Sequence, residues 1–216
     1  RLCIFDLDGT LLNTVYALTY VTNLTLDAFG LRHVTPEETK RIVGNGYRMQ
    51  MKRALVLAGD EKLVHYEASL PIYMENFSKY CLKDVEPYDG IRELLASLKE
   101  MGVHVAVLSN KPHEQAIMNI ETFFGKGYFD VVRGEQAGTP KNPAPDGAFA
   151  ICRELCIKQE ECLYLGDTNT DMETGLNAGM DTVGVLWGFR TQEELQQAGA
   201  EYLAATMQDL EKVILQ

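Results

Sequence analysis

The chain has 216 residues, 46% of them apolar, and its 31 acidic and 20 basic side chains give a formal charge of -11. That length can bury a real core in one large domain or two small ones, and the negative balance argues against nucleic acid or an anionic membrane as the main partner. No apolar stretch reaches membrane-spanning length, and five cysteines without an even disulfide framework suggest a reducing cytoplasm.

The first element, Leu2-Cys3-Ile4-Phe5, is an apolar run of strand length, the pattern of a strand buried on both faces of a parallel sheet. Because the chain opens directly on it, no signal peptide is expected. The run stops in two carboxylates one residue apart, Asp6 and Asp8, followed by a Gly9-Thr10 turn. Ligands in such sheets bind at the carboxyl ends of the strands, so these acids stand where chemistry is expected. One can attack a phosphoryl group and become an aspartyl phosphate, while the other donates and then accepts a proton. Two anions facing an anionic substrate imply a divalent cation. Mg2+ suits the place, being hard, oxygen-seeking and content with one or two carboxylates plus phosphate and water.

From Thr14 to Lys83 the periodicity is helical. Val15, Leu18, Val21, Leu24 and Ala28 mark one helix face, and Thr35-Pro36-Glu37-Glu38 is a capping box with proline at the first helical position. Gly44-Asn45-Gly46 interrupts, Tyr47 to Ala58 resumes, and Asp60 to Cys81 reads as a further helix bent near Pro71.

Beyond Val85 strands and helices alternate. His104 to Leu108 is a strand followed by Ser109-Asn110-Lys111-Pro112, and a short strand lies near Val131-Val132. Pro145 to Cys156 is helical, Cys162 to Leu165 is a strand ending in Gly166-Asp167, and Met172 to Ala178 is helical. Thr182 to Leu186 is a strand, and Thr191-x-x-Glu194 caps another helix. The expected fold is α/β, a doubly wound, mostly parallel, Rossmann-like sheet with an inserted helical cap. Residues 1–13 and 84–216 form the core, and 14–83 the cap.

Four segments then converge on one edge of the sheet. They bring Asp6 and Asp8; Ser109 and Asn110, whose hydroxyl and amide can bond phosphate oxygens; Lys141; and Asp167 with Asp171. This inventory suits magnesium-assisted phosphoryl transfer, where positioning and charge neutralisation dominate. Cys152 and Cys156 are one helical turn apart, but no histidine completes a metal site, and ordinary core cysteine is the better reading.

Asp6-Leu7-Asp8-Gly9-Thr10-Leu11-Leu12, Ser109-Asn110-Lys111-Pro112 and Gly166-Asp167-Thr168-Asn169-Thr170-Asp171 resemble the first, second and fourth motifs of the haloacid dehalogenase superfamily. The helical insertion resembles its small helical cap, and Val185 through Ala200 is similar to the tail of the phosphoglycolate phosphatase-like branch. The resemblance spans essentially the whole chain. It implies Asp6 as nucleophile and Asp8 as general acid/base, whose backbone carbonyl also binds magnesium. It also implies Asp6, Asp8 and Asp167 as the metal ligands, with Asp171 holding metal-bound water. Ser109 matches the phosphate-binding hydroxyl, and Thr10 the threonine that supports the nucleophile loop.

Two positions depart from the family pattern. Asn13 replaces an aspartate at the hinge, and the Lys-Pro-x-Pro-Asp motif aligns on Asn142-Pro143-Ala144-Pro145-Asp146, so its lysine position holds Asn142. Either Lys141, one residue earlier, reaches in as the cation, or the site lacks one; we expect replacement by Lys141. In the cap, Arg48 lies where this branch places substrate-selecting residues and could pair with a substrate carboxylate.

The resulting expectation is a phosphatase of the cytoplasm, monomeric or homodimeric, acting on a small phosphorylated metabolite that the resemblance suggests is phosphoglycolate-like. Asp8 counts against a dehalogenase, and Gly166 stands where a related sugar-phosphate mutase typically carries an acid. A non-catalytic phosphate-binding or regulatory module would be favoured only by Asn142.

Overall fold

The computed structural model describes residues 1–215. The chain begins with β1 (Leu2–Phe5) and the two-residue β2 (Leu12–Asn13). Four helices follow: α1 (Val15–Asp27), α2 (Pro36–Ile42), α3 (Tyr47–Leu57) and α4 (Tyr66–Tyr80). A second two-residue strand, β3 (Glu86–Pro87), pairs antiparallel with β2 and closes this insertion.

The remainder alternates. It runs α5 (Ile91–Glu100), β4 (His104–Pro112), α6 (His113–Phe124), β5 (Val131–Glu135), α7 (Asp146–Leu155), β6 (Cys162–Gly166) and α8 (Asn169–Ala178). It ends with β7 (Asp181–Val185), α9 (Gln192–Gln197), β8 (Tyr202–Ala204) and α10 (Met207–Ile214). Among the described residues, no helix is long and apolar enough to cross a membrane.

The main sheet has the order β5-β4-β1-β6-β7-β8, and every pairing in it is parallel. The strand order reverses between β1 and β6, the place where doubly wound sheets open a crevice for ligands. Alternation along β1 explains its central position. Cys3 and Phe5 pack into one apolar cluster with Val105, Val107, Leu95 and Leu98, while Leu2 and Ile4 pack into another with Ala106, Leu108, Ile151 and Tyr164. A strand with apolar residues on both faces is stable only when helices cover both. The insertion has its own apolar cluster, which includes Leu18, Val21, Met51, Leu55, Tyr73 and Phe77.

The Thr35 capping box forms as expected, with Thr35 Oγ1 accepting from the Glu38 amide. Three features differ from the sequence reading. The helix expected from Asp60 begins at Tyr66, because the Asp60 carboxylate accepts from the amides of Val64 and His65 and fixes a turn there. Strand β4 runs past Leu108 to Pro112, with a register irregularity. Cys156 is exposed, whereas Cys152 and Cys162 are buried with sulfurs 3.6 Å apart.

Candidate active site

The site begins where β1 ends. The Asp6 amide donates to Leu165 O at 2.8 Å, fastening the first acid to β6 across the switch point. Gly9 turns the chain with φ +89°, a conformation other residues rarely adopt. A Cβ there would lie 2.3 Å from Asp167 Oδ2, so absence of a side chain also makes room for the second acid segment. Asp167 follows β6 and is held from two sides. Thr10 Oγ1 donates to its Oδ1 at 3.1 Å, and the Phe189 amide to its Oδ2 at 2.7 Å. Asp171, in the first turn of α8, accepts from the Thr168 amide at 2.9 Å and the Thr168 hydroxyl at 2.7 Å.

Asp6, Asp167 and Asp171 each offer a carboxylate oxygen within 4.8 Å of the others, and all three are buried. Burial raises the Asp6 carboxyl well above its ordinary 3.8, with added repulsion from Asp171, Asp167 and Asp8. Burial likewise raises Asp167 to about 8, helped by the charge of Asp171, and Asp171 to about 6. Buried acids crowded in this way resist ionisation unless a cation joins them. The donors are all hard carboxylate oxygens, which fit Mg2+ rather than a softer metal.

Across the crevice lie Ser109, Asn110, Lys111 and Asn142, which line one pocket with Asp6, Asp8 and Asp171. Lys111 Nζ donates to Asp8 Oδ1 at 2.8 Å, and the Lys111 amide donates to Ser109 Oγ at 3.3 Å. The insertion roofs this pocket with Tyr47, Gln50, Tyr73 and Phe77. Hydrogen bonds tie roof to floor. Asn110 Nδ2 donates to Gly44 O at 3.1 Å, Asn45 Nδ2 to Thr170 Oγ1 at 2.8 Å, and Arg190 Nη2 to Val43 O at 2.9 Å. Arg190 Nη1 also donates to Lys40 O.

Residues 3–185 match the family described as haloacid dehalogenase-like hydrolase. The chain belongs to this family. It is 32% identical over 189 residues to a phosphoglycolate phosphatase of Aquifex aeolicus, covering 88% of this chain and 86% of that protein. It is 30% identical over 194 residues to an N-acetylmuramic acid 6-phosphate phosphatase of Pseudomonas aeruginosa, covering 88% of this chain and 84% of that one. A crystal structure from Lactobacillus delbrueckii subsp. bulgaricus superposes with a TM-score of 0.92 at 32% identity, over 99% of this chain and 98% of the other.

Within this haloacid dehalogenase-like frame, some sequence-based candidates converge and others do not. Asp6, Asp8, Asp171, Ser109 and Asn110 share the pocket, with Asp167 beside them and Thr10 holding it. The Asn110 amide, expected on phosphate, is engaged by Gly44 O and by Asn142 O at 3.0 Å. Lys141, expected to reach in as the replacement cation, donates instead to Glu135 Oε1 at 3.2 Å and lines a neighbouring cavity. It emerges after β5 beside Glu135, and an exposed ammonium takes the nearest carboxylate. Arg48, expected to face substrate, is exposed and lies over its neighbour Tyr47, with Cζ 5.4 Å from the ring centroid. Its position at the start of α3 turns it out of the pocket lining.

Sequence reasoning missed Lys111, Gln50, Tyr73, Phe77 and Arg190. For Lys111 a signal existed: it stands two residues after Ser109, and residues two apart on an extended chain share a face. Reading the strand as ending at Leu108 concealed it.

Proposed function

We propose that this protein is a magnesium-dependent phosphatase. It hydrolyses a small phosphomonoester, phosphoglycolate-like in size, through an aspartyl phosphate on Asp6. Residues 14–83 serve as the cap over the site. The observation that carries this reading is the buried trio Asp6, Asp167 and Asp171 at the switch-point edge, with Asp8 in the same pocket. The family membership and the phosphatase relatives support it. Cytoplasmic location and a monomeric or homodimeric state complete the proposal.

Asp6 and Asp167 would hold the metal with their carboxylates and Asp8 with its backbone carbonyl, Asp171 steadying a bound water. The metal would supply positive charge against the phosphoryl oxygens and the acids. The Asp6 carboxylate attacks phosphorus, so that a P–O bond to Asp6 forms as the ester P–O bond breaks. Asp8 gives its proton to the departing alcohol oxygen, then takes a proton from the water that attacks the aspartyl phosphate. That attack releases phosphate and regenerates Asp6. Ser109 donates its hydroxyl to a phosphoryl oxygen. The roof keeps bulk water from the acylphosphate while one water is admitted.

The test is turnover of phosphoglycolate and p-nitrophenyl phosphate with Mg2+ and after chelation. Both reactions should stop in chelator and return with Mg2+. Undiminished turnover without metal would sink the mechanism.

A further inference from the structure

Asn142 at the family's lysine position leaves the positive charge opposite the transferred phosphoryl group unassigned. We propose that Lys111 supplies it, its ammonium being the phosphoryl-binding cation of this site, an assignment that rests on the phosphatase reading above.

The Lys111 side chain is only 1% exposed, with Nζ 2.8 Å from Asp8 Oδ1 and 4.8 Å from the centroid of the Phe77 ring. Burying an ammonium is costly unless it is paired. Here one carboxylate and one aromatic face hold it at the pocket wall. Among the described residues lining that pocket, Lys111 is the only cation. An incoming phosphate ester therefore meets Asp6, Asp8 and Asp171 with this single protein-borne positive charge between them. An ammonium carries three N–H donors; Asp8 takes one, which leaves two for phosphoryl oxygens. The Ser109 hydroxyl lines the same pocket and accepts from the Lys111 backbone amide.

The two rivals for the role are engaged elsewhere. Asn142 has no charge, its Nδ2 donates to the Tyr164 hydroxyl at 3.1 Å, and its carbonyl accepts from Asn110. Its amide and carbonyl are both taken up in bracing the pocket wall that it lines. Lys141 lies on Glu135 with its side chain 37% exposed, where water screens its charge. A charge in the closed, water-poor pocket acts far more strongly on the transition state.

The experiment compares wild type with Lys111→Met, Lys111→Arg, the double variant Lys111→Met/Asn142→Lys, and Lys141→Ala, each checked for folding by thermal melting. Binding of inorganic phosphate is measured by calorimetry in Mg2+, and kcat/KM on p-nitrophenyl phosphate. Lys111→Met should weaken phosphate binding at least about tenfold and lower kcat/KM on the order of a hundredfold. Lys111→Arg should lose less than Lys111→Met, and restoring a lysine at position 142 should recover most of both quantities. Unchanged phosphate affinity in folded Lys111→Met overturns the assignment, as does failure of Asn142→Lys to rescue it. A loss that falls on Lys141→Ala instead overturns it too. If Lys111→Met does not fold, the 15N resonance of the Lys111 ammonium in wild type decides. A shift on saturation with phosphate supports the assignment, and an unmoved resonance overturns it. A wild type that neither binds phosphate nor hydrolyses the ester refutes the phosphatase reading itself; an active wild type indifferent to Lys111 refutes only this assignment.

Discussion

Gly166 lies directly against Asp171: a Cβ on Gly166 would stand 2.2 Å from the Asp171 Cβ and 2.5 Å from its Oδ2. An acidic residue at 166, which a mutase of the related branch typically carries, therefore cannot be accommodated unless Asp171 moves. Gly166→Ala should push Asp171 away from Asp6 and Asp167. Mg2+ affinity, measured by calorimetry, should fall at least about tenfold, in line with the cost of disturbing the groups that orient metal ligands. Wild-type Mg2+ affinity in Gly166→Ala would show that Asp171 is dispensable to the metal.

Replacing Asp6 with asparagine keeps the shape and removes the proposed nucleophile. Turnover should collapse by several orders of magnitude. Activity within about tenfold of wild type, roughly 1.4 kcal/mol in barrier, would mean that water attacks the ester directly. Asp6→Asn should also raise the melting temperature of the metal-free protein near pH 8, because burial and three neighbouring acids oppose the Asp6 charge.

The raised carboxyls predict how metal-free stability depends on pH. With Asp167 at about 8 and Asp171 at about 6, against an ordinary 3.8, the folded state retains protons that the unfolded chain has released. Stability is therefore greatest below about pH 4 as far as these groups are concerned, and falls as pH rises through about 6 and then about 8. The slope approaches about 1.4 kcal/mol per pH unit for each proton so retained. Saturating Mg2+ should flatten the fall, because a cation replaces the protons. Denaturant melts at pH 5 to 8 with and without Mg2+ test this; identical profiles would count against a metal among these acids.

Arg190 clasps the carbonyls of Lys40 and Val43 at the end of α2, where a helix runs out of its own donors. Hydrogen bonds to a charged group are worth about 1.5–3 kcal/mol each. Arg190→Gln should shift the opening of the roof by roughly ten- to a hundredfold. Amide exchange over residues 40–46 should quicken while that of β1 and β6 stays put. Unchanged exchange would show that the roof is held by other contacts.

Arg48 stands outside the pocket, so Arg48→Ala should alter kcat/KM by less than about twofold on both phosphoglycolate and p-nitrophenyl phosphate. A selective loss on the carboxylate-bearing ester would mean that α3 reorients when substrate binds.

The acids were readable from the chain because charge rarely follows a buried strand without purpose, and because Asp6 and Asp167 each terminate an apolar run. Thr35 and Thr191 announced their helices through local capping chemistry. What stayed hidden depends on contacts between residues distant in sequence. Nothing near Arg190 indicates that its partners lie about 150 positions away. Helical periodicity marked α3 and α4 as helices, but not that Gln50 and Tyr73 would line one pocket with the acids. Lys141 and Lys111 are equally cationic in the sequence; only the placement of Glu135 and Asp8 separates them.

The small β2–β3 ladder has a consequence for how such a protein can change. Leu12 pairs with Pro87 and Asn13 with Glu86, so the chain departs from the sheet and returns to it side by side. Antiparallel neighbours of this kind are about 5 Å apart. Whatever lies between Asn13 and Glu86 can be lengthened, shortened or exchanged without any strand of the main sheet changing its partner. Doubling the length of a flexible loop costs only about 0.6 kcal/mol of closure entropy. A lineage can therefore keep Asp6, Asp8, Asp167 and Asp171 in place and adapt to a new leaving group by replacing everything above them in one recombination.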